Sequence, residues 1–247
     1  PVSRLMLLDT ASLYFRAYFG VPDSFTAPDG TPVNAVRGLL DFIARLVTDY
    51  QPTHLACCWD NDWRPQWRVD LLPSYKAHRV EAELPTPSSG GAHFEEEVPD
   101  PLEAQIPVIV EVLVAFGIAI VGADGFEADD VIGTLATEAR ARGEPVLIVT
   151  SDKDMAQLVS EQVQLLDTMK ERRLDPAGVV EKFGVPPEKV IDVQALAGDS
   201  TDNVPGVPGI GVKTAGRFRT ADQLMEAVEA GATRVSTTLT PALALVR

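Results

Sequence analysis

The sequence is poor in cysteine, histidine and positive charge, and each shortage closes off a class of chemistry. The two cysteines, Cys57 and Cys58, are neighbours within the apolar run Leu55-Ala56-Cys57-Cys58-Trp59. Neighbours in a strand point to opposite faces, which argues against a structural disulfide. Three scattered histidines offer no His/Cys zinc spacing, so a metal site here must be made of oxygen ligands and would suit magnesium or manganese. No apolar run nears the roughly 20 residues that span a bilayer, and the N-terminus lacks a signal-peptide pattern. A cytosolic protein without a membrane partner is expected.

Against 36 acidic residues stand 21 lysines and arginines, a formal charge of −15. General affinity for phosphate backbones comes from surplus lysine and arginine, which this chain does not have. A site holding many carboxylates explains much of the deficit, because bound divalent ions cancel charge that the formal count leaves in place. Part of it is ordinary solvated surface, as in Glu95-Glu96-Glu97.

What is present suffices for a large core. At 247 residues and 45% hydrophobic composition, the chain predicts one α/β domain with a small appended unit. Arg4 to Leu8 reads as a buried strand ending at Asp9, and His54 to Trp59 as another ending at Asp60. Ile118 to Val121 is followed within a few residues by Glu127, Asp129 and Asp130. Pro145 to Thr150 stops at Ser151-Asp152-Lys153-Asp154, and Val163 to Leu166 makes a fifth strand. Helical periodicity runs from Asn34 to Tyr50 through Val36, Leu39, Leu40, Ile43 and Leu46, and further helices fit at about 102–116 and 127–142. Strands alternating with helices imply a mainly parallel sheet covered on both faces. Glu81 to Pro101 is rich in Pro, Ser, Gly and Glu and is read as a mobile loop or arch, part of a wider arch segment over about 63–101. The expected division is an α/β core over 1–175 and a helical unit over 176–247.

Ligands of an open parallel sheet bind beyond the carboxyl ends of its strands, and four of these strands bring acids to that edge. Alone, Asp9 or Asp60 reads as a turn or helix N-cap. Glu127, Asp129 and Asp130 equally favour the positive end of a helix. Together they raise one another's pKa and destabilise the fold unless cations neutralise them, so metal binding is the economical reading. Glu127 and Asp130 share a helix face, Asp152 and Asp154 lie two apart on a turn, and Asp199 and Asp202 can close the site if their segment folds back. Paired divalent ions suit phosphodiester hydrolysis. An aspartyl phosphatase would show Asp-x-Asp at the first strand end, where Asp9 is instead followed by Thr10 and Ala11.

Trp63 to Arg68 and Pro73 to Arg79 concentrate cations and aromatics, an interleaving that suits single strands. Trp63 and Trp67 are read in the first place as core anchors four apart on a helix, and Tyr75-Lys76 is the better functional candidate. The stretch from Val204 to Ala215, with Gly209, Gly211 and Lys213, reads as a glycine hairpin entering a helix whose amide groups bind a phosphate, or as a plain Pro/Gly turn.

Asp9 to Arg16, Tyr75-Lys76-Ala77-His78-Arg79, Phe126 to Asp130, Ser151 to Asp154 and Gly198 to Lys213 together resemble the 5′-nuclease family of flap endonucleases and the nuclease domain of bacterial DNA polymerase I. The resemblance implies a PIN-like α/β core with a helix-three-turn-helix unit. It implies cleavage of DNA at 5′ flaps, nicks, gaps and 5′ ends, including RNA-primed ones, by a monomer at the bacterial nucleoid. Asp9, Asp60, Glu127, Asp129, Asp130, Asp152, Asp154, Asp199 and Asp202 match the metal-site acids for two or more Mg²⁺ or Mn²⁺ ions, with Asp130 and Asp152 central to catalysis. Arg16 and Lys76 match contacts to the scissile phosphate, Tyr75 a stacking aromatic and Arg79 the basic arch. Gly209, Gly211 and Lys213 match the duplex grip, often with K⁺ bound. The Glu81–Pro101 stretch is longer and more acidic than the family pattern. Two rival readings remain: a DNA-structure-binding module without catalysis, which would lack several of these acids, and an RNA-directed nuclease of the same architecture, against which the glycine-rich hairpin speaks.

Overall fold

A computed structural model describes residues 4–84, 93–96, 98–168, 170–208 and 210. The sequence signals become a six-stranded sheet. Strands β1 (Leu5–Asp9), β2 (His54–Cys58), β5 (Ala119–Val121), β6 (Val146–Val149), β7 (Val163–Asp167) and β8 (Arg172–Leu174) stand in the order β5-β2-β1-β6-β7-β8. All neighbours are parallel except β7 and β8. β1 is therefore central, with Leu7 beside both Ala56 and Ile148.

Because side chains alternate along a strand, each strand feeds two cores. Leu7, Cys58, Ile148 and Leu165 face helix α6 (Ala128–Ala141) and the later helices α7 (Pro176–Phe183) and α8 (Val190–Ala197). Met6, Leu8, Cys57, Val149 and Leu166 face helices α1 (Thr10–Gly20), α2 (Asn34–Tyr50) and α5 (Ile106–Ala115). The two cysteines are free and buried on opposite faces, as the pattern required. Val179, Phe183, Val190 and Val193 share the core of the α/β sheet, so the first helices after residue 175 are packed onto the sheet. Among the described residues, no helix is long and apolar enough to cross a membrane.

Local chemistry sets the helix ends. The Asp9 carboxylate accepts the Ser12 amide at 3.2 Å and caps α1. Fully buried Gln105 caps α2, its Oε1 accepting the Ala35 amide at 2.8 Å while its Nε2 donates to Asn34 Oδ1 at 2.9 Å. Helix α6 opens with a capping box between Glu127 and Asp130.

Two expectations need correction. The 81–101 stretch has regular structure: β3 (Val80–Leu84) pairs antiparallel with β4 (His93–Glu96), and a short helix α4 (Asp100–Glu103) follows. Val80-Glu81-Ala82-Glu83-Leu84 alternates apolar and acidic residues, a period-two signal masked by the Pro/Ser/Gly composition beyond it. Nor are Trp63 and Trp67 core anchors on one helix. Helix α3 (Gln66–Leu71) begins after Trp63, and Trp67 is 43% exposed, its indole Nε1 donating to the Gly125 carbonyl at 3.1 Å. Gly209, Gly211 and Lys213, with the helix-three-turn-helix expected around them, lie outside the described residues.

After α8 the chain turns sharply back. Gly198 has a left-handed φ of 73°, and a Cβ there would stand 2.7 Å from the Val204 carbonyl oxygen and collide with the Gly206 backbone. This contact folds residues 199–204 into a loop closed by Asp199 and Val204, which exchange amide–carbonyl bonds at 2.8 and 2.7 Å. Gly198→Ala is expected to destabilise the chain by about 1–3 kcal/mol, from backbone collision and strain together. The urea unfolding midpoint, compared with that of Gly30→Ala, where the left-handed glycine has open space around it, checks this.

Candidate active site

The parallel sheet brings Asp9 to the end of β1 and Asp60 just past β2, while Asp152 and Asp154 follow β6. Glu127, Asp129 and Asp130 form the start of α6, and the 199–204 loop adds Asp199 and Asp202. Asp9, Asp60, Glu127, Asp129, Asp152, Asp199 and Asp202 line one cavity of about 450 Å³. Asp130 and Asp154 line an adjoining one of about 690 Å³ that shares Asp129, Asp199 and Asp202. All nine acids singled out in the sequence thus converge on two connected cavities.

The capping readings hold for Asp9 and Asp130, while Asp60 caps the distant helix α6 and leaves the helix after its own strand uncapped. Asp9 caps α1, Asp60 Oδ1 accepts the Ala128 amide at 2.7 Å, and Asp130 Oδ2 accepts the Glu127 amide at 3.1 Å. Each bond occupies one lone-pair direction of a carboxylate that keeps others for the cavity. Capping here orients the acids.

Charge crowding is visible in their proton affinities. Burial pushes the Asp9 carboxyl up to about 6 although Thr150 donates to it at 2.7 Å. Burial, with the neighbouring Asp152 charge next, pushes Asp154 up to about 7. Burial first, then Asp152 and Asp9, holds Asp129 well above the usual carboxylate range, and burial also raises Asp60 and Asp152. Burial would raise Asp199 too, but its bonds from Lys153 and the Thr201 amide outweigh it and hold Asp199 low.

Four cationic side chains offset part of this charge. Arg68 grips Asp130 with both guanidinium nitrogens at 3.0 and 2.8 Å and reaches Glu127 at 2.6 Å. Buried Lys76 is ion-paired to Glu127, Arg79 meets Asp202 at 2.9 Å, and Lys153 meets Asp199 at 2.7 Å. Tyr75 donates its hydroxyl to Glu127 at 2.7 Å. The segment that presents these groups is held by buried Arg64, which donates to the carbonyls of Tyr75 and Pro73 at 2.6 and 2.9 Å.

Among the described residues no three acids are gathered on a single point as a ready cage, and Glu127 and Asp199 are ion-paired to cations. The donor set nevertheless fits hard divalent cations. It is all oxygen, it lines a shared cavity, and several members bind protons with an avidity that marks charge awaiting a counterion.

Of the expected phosphate contacts, Lys76 and Arg79 line the cavity. Arg16 does not: its guanidinium bonds the Thr168 hydroxyl and lies 5.2 Å from the Phe42 ring centre. Tyr75 faces the adjoining cavity. Sequence reasoning gave no role to Ser12, Phe15, Ser151 or Lys153, and took Arg68 only as part of a cation-rich stretch suited to nucleic acid. Ser12 and Phe15 follow Asp9 at three-residue steps and so share its helix face, a periodicity legible once α1 is recognised.

A parallel α/β sheet with carboxylates crowded at its carboxyl edge defines a nuclease-type hydrolytic core. Two family models, described as the 5′-3′ exonuclease N-terminal resolvase-like domain and the 5′-3′ exonuclease C-terminal SAM fold, match residues 4–184 and 185–244. A 5′-3′ exonuclease of Streptomyces coelicolor is 58% identical over 219 residues, 86% of this chain and 70% of that protein. One of Mycobacterium tuberculosis is 50% identical over 242 residues, 92% of this chain and 74% of that protein. DNA polymerase I of Rhizobium leguminosarum is 42% identical over 87% of this chain, which spans 20% of that polymerase. A solved structure described as T5 5′-exonuclease with bound zinc ions superposes with TM-score 0.66 at 22% identity, over 86% of this chain and 73% of that one. A bacteriophage T5 flap endonuclease variant, in a pseudo-enzyme-product complex with DNA and metal ions, gives 0.64 at 20% identity over 86% and 72%. The chain belongs to the 5′-3′ exonuclease family and is a 5′ nuclease.

The raised carboxyls predict a metal-dependent stability. Asp9 and Asp154 bind protons more tightly folded than unfolded, so their contribution is fully present below about pH 4 and is lost as pH rises through about 6 to 7. The melting temperature in chelator is expected to carry this loss across that interval. Magnesium should restore it, so that the gap between magnesium and chelator curves widens with pH; a gap constant with pH contradicts the assignment.

Proposed function

We propose that the chain is a structure-selective DNA 5′ nuclease dependent on Mg²⁺ or Mn²⁺. It acts as a monomer at the bacterial nucleoid on 5′ flaps, nicks, gaps and 5′ ends, including RNA-primed ones. The observation that carries this reading is the convergence of nine acids, several abnormally avid for protons, on connected cavities at the carboxyl edge of the sheet. Asp9, Asp60, Glu127, Asp129, Asp130, Asp152, Asp154, Asp199 and Asp202 would hold two or more divalent ions. Such ions activate water and neutralise charge on the scissile phosphate.

The chain's own residues supply the rest. Lys76 and Arg79, at the cavity wall, pair with phosphate oxygens when their carboxylate partners are otherwise satisfied. Phe15 and Trp63 line the same cavity and offer faces on which a base stacks without regard to sequence, and Tyr75 does so beside Arg68. Arg16, whose guanidinium here bonds Thr168, is proposed from its place in the motif to contact the scissile phosphate. Gly209, Gly211 and Lys213 grip the duplex, with K⁺ at the helix-three-turn-helix. The proposed division is a nuclease core to about residue 175, including the arch, followed by a DNA-binding unit whose first helices, α7 and α8, pack onto the core sheet.

Cleavage of a labelled 5′-flap duplex, with magnesium, manganese and chelator in parallel, tests the reading. Activity is expected with either ion and none with chelator. Asp152→Asn should lower turnover by about two orders of magnitude or more with little change in melting temperature. Asp130→Asn should lose similar activity but also some stability, because Asp130 closes the α6 capping box. Normal turnover in either variant contradicts the assigned site.

A further inference from the structure

Ser12 Oγ, on the first turn of α1, lies 3.0 Å from Ser151 Oγ, just past β6, although 139 positions separate them in the chain. Both line the acid cavity, and Ser151 is exposed. The Ser12 amide is committed to Asp9, but among the described residues each hydroxyl has the other as its one hydrogen-bond partner.

The setting determines what such a pair can bind. A phosphodiester entering this cavity meets carboxylates on most sides, and Lys153, next to Ser151, is ion-paired to Asp199. Neutral hydroxyls are the donors that approach a phosphate oxygen there without being tied up by an acid. When one hydroxyl donates to the other, one hydrogen remains free; when both rotate, two point the same way. Two donors about 3 Å apart suit a single non-bridging oxygen, or both such oxygens of one phosphate.

On the nuclease reading above, we propose that the Ser12 and Ser151 hydroxyls form a neutral phosphate clamp. It holds a phosphodiester of the bound strand that flanks the one being cut. The clamp joins the ends of β1 and β6, so it sets that phosphate in register with Asp9 and Asp152. It positions substrate and takes no proton in the reaction.

Ser12→Ala, Ser151→Ala and the double variant test this on a 5′-flap DNA duplex. Binding is measured by fluorescence anisotropy with calcium in place of magnesium, and KM and kcat are then separated with magnesium. Each single variant is expected to weaken binding and raise KM about fivefold, the worth of one net hydrogen bond, with the effect in KM and not kcat. Threonine at either position should restore binding. A phosphorothioate at the flanking linkage should weaken binding by the unaltered protein and leave the double variant indifferent. Unchanged binding and KM in the double variant overturn the clamp. A fall in kcat with weakened magnesium affinity also overturns it, since the serines would then act by supporting Asp9. A loss confined to RNA flaps overturns it in favour of a sugar-hydroxyl contact. If the unaltered protein binds the flap duplex without cutting it, the nuclease reading fails, while the binding comparison still decides the clamp.

Discussion

The structure depends on cancelling negative charge in one place. Carboxylates from β1, β2, β6, α6 and the loop after α8 share connected cavities, and burial makes their ionised forms costly. As the side chains stand, Arg68, Lys76, Arg79 and Lys153 carry part of that neutralisation. These same groups line the cavities. On the proposed function, divalent ions held by the acids would leave these lysines and arginines free to pair with phosphate. This accounts for how a chain of formal charge −15 handles a polyanion: its usable positive charge is local and is exposed as the acids find other partners.

Ordinary folding rules build this arrangement. Parallel pairing of β1 with β2 and β6 puts three strand ends at one edge, and the residues that leave those ends are caps or turn formers with oxygen side chains. Asp9 and Asp130 each satisfy a helix-start amide while lining a cavity, so one carboxylate serves both secondary structure and chemistry. The closing loop relies on backbone contact: Gly198 and Gly206 approach so closely that side chains are excluded between them.

Five parallel strands were legible because buried strands read as apolar runs, and the acids at their ends because they repeatedly follow those runs; the short antiparallel strand β8 was not. Helix 34–50 was legible to the residue. What escaped detection lay where two signals overlapped. Helix α1 was overlooked behind the strand-ending Asp9, and with it Ser12 and Phe15. The β3–β4 hairpin was hidden by loop-like composition, and the tryptophan spacing was read as helical where the helix starts late. Arg68 stood in a stretch noted for its cations, but its double grip on Asp130 is a long-range pairing that local sequence does not encode. Arg16 shows the converse: a motif match alone singled it out, and its guanidinium rests against Thr168 and Phe42 outside the acid cavity.

The loop after α8 is tied to the foot of the arch at several points. Lys76 donates its amide to the Asp202 carbonyl at 2.9 Å, Ser74 and Asn203 exchange bonds at 3.2 and 2.8 Å, and Arg79 holds the Thr201 carbonyl at 2.8 Å. Lys76 and Asn203 both adopt left-handed backbone, which non-glycine residues keep only when their surroundings enforce it. The two segments are therefore pinned to each other by backbone and side chain alike, so the placement of Asp199 and Asp202 at the acid cavity is set by the 74–79 segment as much as by the helix that precedes them.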